Sequence, residues 1–245
     1  QFKSKLKVPI FQNEGLKKPN YNIYLLRIIN NKWNIELYSD TPKEDFYIVN
    51  KDDCNNENIF FLADESEIEN YKINGLDKLT KFNNFTSTSP AFRCNLEISS
   101  DKGGFSSYQS EYPFNMINKK GSILSPVNIL TNKKQGDNFL IFKNIIQEPI
   151  HEIFKGYFID LKKRKKIYEF NLKTNLTNFI KIDNQILEND IYFLTDNYLG
   201  IPIYLSHQDN HLSFEHTHPP HEYILSEDRY KRVSDFKKEF NEIIN

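Results

Sequence analysis

Short runs rich in β-branched and aromatic residues recur from one end of this chain to the other, each closed by Asn, Asp, Lys or Gly. That recurrence points to an all-β fold. The clearest alternation places Trp33, Ile35 and Leu37 on one face of an extended segment and Asn34 and Glu36 on the other. It follows an apolar run over residues 21–29, and the intervening Asn30, Asn31 and Lys32 predict a hairpin. Further strands are expected over residues 46–49, 59–62, 92–98, 139–142, 153–159, 167–172, 179–182, 191–194 and 201–205. About a dozen short strands with turn residues between them fit a mainly antiparallel sandwich or jelly-roll-like body better than alternating βα units.

Helix signals are few. Residues 66–79 carry Ile68, Tyr71, Leu76 and Leu79 at loosely helical spacing, interrupted by Gly75, so a short helix or irregular crossover is expected there. Near the C-terminus, Ser226 and the acidic Glu227 and Asp228 read as a cap and first turn, after which Tyr230, Val233, Phe236, Phe240 and Ile243 form one apolar stripe. This amphipathic helix is expected to cover a sheet edge. The polar stretch at residues 83–90 suggests an N-terminal β subdomain over 1–85 and a β-sandwich with the C-terminal helix over 86–245, with a single compact domain as the alternative.

The charge is nearly balanced, 32 Lys and Arg against 33 Asp and Glu in 245 residues, so no long-range field recruits nucleic acid or an anionic membrane. The one basic run, residues 162–166, lies between two expected strands and reads as a solvated hairpin turn. No apolar run reaches the length of a membrane span. Two cysteines, Cys54 and Cys94, form neither a disulfide framework nor a metal-ligand pair and read as core residues. No signal segment opens the chain, which favours a cytoplasmic setting, while the start at Gln1 leaves a removed leader and secretion open.

Five of the six histidines fall within residues 207–221. If Asp209 and Asn210 form a two-residue hairpin loop, Leu205 opposes Phe214 and Ile203 opposes His216, so that Ile201, Ile203, Leu205, Leu212 and Phe214 share a buried face. His216 and His218 then continue that row side by side, and the turn at Pro219 and Pro220 could return His221 or Glu222 over the same spot. These four residues are the expected metal ligands, for a divalent transition metal such as Zn or Fe, with possible metal-dependent catalysis. The register keeps His207 and His211 at the far end of the hairpin. The spacing His216-x-His218-x3-Glu222 is similar to the first metal motif of cupins, but the glycine that precedes it there is absent and no second motif follows. The string from His216 to Pro219, with Ser226 beyond it, is similar to the JAMM zinc isopeptidases, where the third ligand would be an aspartate at the position of Arg229. Each resemblance stops at these residues.

A second candidate lies in residues 103–114, where hydroxyls and aromatics follow Gly103 and Gly104. Tyr108, Gln109 and Tyr112 are the expected ligand-binding residues for a small molecule, glycan or peptide, aromatic faces supplying area and polar groups direction. The same stretch also reads as an edge strand with mixed faces. Three functions therefore stand: a metal-binding β protein, a carbohydrate- or peptide-binding module, and a structural or assembly protein without catalysis.

Overall fold

Asparagine and aspartate make the tight turns of this chain. Asn30 and Asn31 both adopt the left-handed conformation, with φ of 51° and 58°, which twists a two-residue loop to match its flanking strands. Asp209 does the same at φ 49°, and Asn175 at φ 58°. Their short polar side chains tolerate this region better than most residues do.

The computed structural model describes residues 2–10, 21–69, 71, 75–80, 94–109, 112, 114–118, 121–127, 136–188, 190–216 and 229–245. The chain divides into two compact units, Gln1–Phe114 with Ile146–Ile150, and Asn115–Ile145 with His151–Asn245. In chain order the first contains β1 (Phe2–Pro9), β2 (Tyr21–Ile29), β3 (Lys32–Ser39), β4 (Phe46–Val49), β5 (Ile59–Asp64), α1 (Glu65–Ile68), β6 (Asn95–Ser100) and β7 (Phe105–Gln109). The second contains β8 (Leu124–Pro126), β9 (Asp137–Lys143), β10 (Ile153–Asp160), β11 (Lys165–Lys173), β12 (Thr177–Ile182), β13 (Ile191–Thr195), β14 (Ile201–Gln208), β15 (His211–His216) and α2 (Arg229–Ile244). The expectation of a mainly antiparallel β protein with a C-terminal helix holds.

In the first unit a four-stranded sheet, β4-β1-β6-β7, and a three-stranded sheet, β3-β2-β5, share one core. Val8, Tyr47 and Val49 from the former pack with Ile23 and Leu62 from the latter. The Tyr47 hydroxyl donates to the Tyr21 carbonyl oxygen at 2.8 Å. Because β6 pairs with β1 and β7 with β6, residues well beyond position 85 are needed to complete this sheet, and the division falls at Phe114. Residues 83–90, read as the boundary, lie outside the described residues. The expected helix over residues 66–79 reduces to the single turn α1. Gly75, at φ 66°, admits the close bridge between Trp33 and Leu76, where a Cβ would sit 3.0 Å from the Trp33 carbonyl oxygen. Ile146–Ile150 also belongs to this unit: the Trp33 indole donates to the Gln147 carbonyl oxygen at 2.9 Å, and the Leu79 amide to the same atom.

In the second unit the sheets β11-β10-β13-β8 and β12-β9-β14-β15 face each other. Phe142 of β9 meets Phe193 of β13 edge-on at 5.3 Å and Phe154 of β10 at 6.2 Å. Offset and edge-to-face pairs of this kind are favoured over flat sandwiches. Gly156 on β10 is enforced by this packing, since a Cβ there would sit 2.5 Å from the Phe170 ring. The expected placing of the C-terminal helix at a sheet edge is corrected. Phe240 of α2, 1% exposed, packs with Tyr157, Ile159 and Leu194, which alternate with the core-facing residues of β10 and β13 and so lie on the outer face of that sheet. Covering that face buries β10 on both sides. Residues 226–228, expected as the helix cap, lie outside the described residues.

Candidate functional site

The hairpin of β14 and β15 has the expected register, with Ile203 opposite His216 and Leu205 opposite Phe214 about the turn at Asp209 and Asn210. Of the four expected metal ligands, only His216 falls among the described residues. His218, His221 and Glu222 lie outside the described residues, and His216 sits half-buried at the end of β15. Among the described residues no group of three or more His, Cys, Asp or Glu side chains could hold a metal ion. The metal-binding reading of the function is therefore withdrawn. The reason is local: Ile203, which opposes His216, and Leu205 and Phe214 in the next row of the same face are apolar and buried, while the neighbouring carboxylate, Glu215, alternates to the other face of the strand. The expected one-sided burial is corrected too. Tyr204 and Ser206, on the opposite face, are as buried as Leu205, and the Tyr204 hydroxyl bonds Ser125 Oγ of the facing sheet at 2.8 Å. Burial pushes the Tyr204 phenol well above its ordinary range.

The basic run spans the turn between β10 and β11 and the start of β11, and four of its five charges are engaged. Lys162 pairs with Asp190, Lys163 with the buried Asp160, Arg164 with Glu239 of α2, and Lys166 with Glu169. No helix among the described residues is long and apolar enough to cross a membrane.

The second candidate stretch forms β7, the edge strand of the first unit's larger sheet. Alternation divides its residues. Tyr108 opposes Leu96, which opposes Leu6, so it faces the core and is 7% exposed. Gln109 is exposed on the other face, and Tyr112 is half-buried beyond the strand. The other face is built in rows. Lys3, Ser99 and Phe105 stand side by side across β1, β6 and β7, followed by Lys5, Glu97 and Ser107, then Lys7, Asn95 and Gln109. Phe105 is 62% exposed.

At the Phe105 end these rows shape an open trough of about 500 Å³, closed on its far side by Asn50, Lys51 and Asp52 in the segment after β4. From that segment to Phe105 the trough crosses β1 and β6, roughly 14 Å at the ordinary spacing of strands. Its charges are largely paired: Lys3 with Asp101 at 2.5 Å, and Glu97 with Lys7 at 2.5 Å. Lys3 holds the Asp101 carboxyl below the usual carboxylate range. Sequence reasoning missed Lys3, Lys5, Asn50, Asp52, Glu97 and Phe105. One signal was there to find: Phe2, Ser4, Leu6 and Val8 alternate with Lys3, Lys5 and Lys7, a strand with a lysine-lined face. Comparisons with protein-family models, curated proteins and solved structures gave no significant match to this chain.

Proposed function

We propose that this chain is a non-catalytic binding protein whose first unit takes a glycan in the trough beside Phe105. The observation that carries this reading is the conjunction of an exposed aromatic ring with an open, polar concavity on a rigid sheet. A sugar ring presents an apolar C–H face and a rim of hydroxyls. Phe105 offers a flat surface to the first, and the Asn50 amide, the Ser99 hydroxyl and the Asp52 carboxylate offer donors and acceptors to the second. Gln109 extends the same polar face along β7. Strand residues hold their side chains in place at small entropic cost, which suits recognition by a shallow surface.

The test is a glycan array followed by calorimetric titration of the best binder. Phe105→Ala removes the platform without touching the core, so binding is expected to weaken at least about tenfold, the loss of roughly 1.4 kcal/mol, with unchanged thermal stability. Binding that survives this substitution, or no glycan bound at millimolar concentration, would overturn the reading.

A further inference from the structure

We infer that the preferred occupant of this trough is an acidic glycan, one bearing a carboxylate or sulfate, and that Lys5 receives its charge; this rests on the glycan reading above. Lys5 stands midway along the lysine face of β1, between Lys3 and Lys7. Each neighbour has its own carboxylate, Asp101 for Lys3 and Glu97 for Lys7. Glu97 lies directly opposite Lys5 in the strand register, yet its carboxylate reaches diagonally to Lys7. Lys51, on the far wall, has Asp52 at 4.0 Å. Among the described residues, Lys5 alone of these cations forms neither an ion pair nor a side-chain hydrogen bond, and it lines the trough.

The chemistry follows from that arrangement. A neutral sugar would leave the Lys5 ammonium without an anionic partner, whereas a carboxylate or sulfate on the ring would meet it inside a concavity whose other charges are already matched. Because Lys5 sits in the ladder with β6, opposite Glu97, and one residue from where β4 joins β1 at Leu6, its backbone is held while the ammonium is presented. An exposed ion pair of this kind is worth at most about fivefold in affinity, and salt weakens it.

The experiment titrates the whole chain with an oligosaccharide of uronate units, with the matching neutral oligosaccharide, and with an acidic hexapeptide. The uronate ligand is expected to bind about fivefold more tightly than the neutral one at low ionic strength, with the preference collapsing in 0.5 M salt. Lys5→Gln should erase the preference, Lys5→Arg should keep it, and Lys102→Gln, outside the trough, should change nothing. Equal affinity for the two sugars, or a preference that persists in Lys5→Gln, overturns the assignment to Lys5 and leaves the glycan reading standing. No binding of either sugar, or tighter binding of the acidic peptide, overturns both.

Discussion

At the scale of single residues, what matters is which polar groups the core must satisfy. Tyr204 is 1% exposed, and its hydroxyl is matched by Ser125 across the two sheets of the second unit. Ser125→Ala strands that hydroxyl in the core and is expected to cost about 1–3 kcal/mol, measured by chemical denaturation. Adding Tyr204→Phe removes the stranded group and should recover part of the loss. If Ser125→Ala leaves the midpoint unchanged, the bond contributes nothing. Cys54 shows the same influence of burial on reactivity. Packed half-buried against the first unit's core, its thiol is pushed upward, which disfavours the thiolate.

At the scale of elements, a strand's fate depends on what covers each face. β10 alternates Phe154, Gly156 and Phe158 toward the opposing sheet with Tyr157 and Ile159 toward α2. It is therefore buried throughout its second half and carries none of the apolar–polar alternation of a half-exposed strand. Phe240, with Ile243 and Ile244 packed beside it, covers that face from α2, and the Tyr192 ring lies 5.6 Å away. Phe240→Ala opens a cavity among Tyr157, Ile159 and Leu194 and is expected to cost about 3–5 kcal/mol in a denaturant titration. An unchanged midpoint would mean that the helix adds no stability. β1 shows the opposite case: its lysines alternate with core residues because only one of its faces is covered.

At the scale of the whole molecule, the chain makes two two-sheet units and returns to the first for five residues, Ile146–Ile150. That return places the Gln147 carbonyl oxygen against the indole of Trp33, the chain's one tryptophan, which is 1% exposed. A fragment ending at Phe114 lacks this acceptor, which also serves the Leu79 amide. Its tryptophan emission is expected to shift to the red, with a lower unfolding midpoint than the intact chain. Identical emission from fragment and whole would show that the returning segment is dispensable.

Much of this architecture is written in local pattern. Period-two alternation and turn-forming asparagines marked most of the strands, and the two-residue loop at Asp209 and Asn210 was enough to set the register of β14 and β15. Local pattern also showed the C-terminal helix, because its apolar stripe has the helical period. What it could not decide was which face meets what. His216 looked like a ligand beside other histidines, yet ligation needs side chains that converge from elsewhere, and among the described residues none do. Within one aromatic stretch the sequence singled out Tyr108 and passed over Phe105, yet strand pairing sends the first into the core and leaves the second exposed beside the trough. Alternation is a property of neighbours along the chain, while burial on a given face is decided by elements distant in sequence, and so the site emerges only when the sheet is assembled.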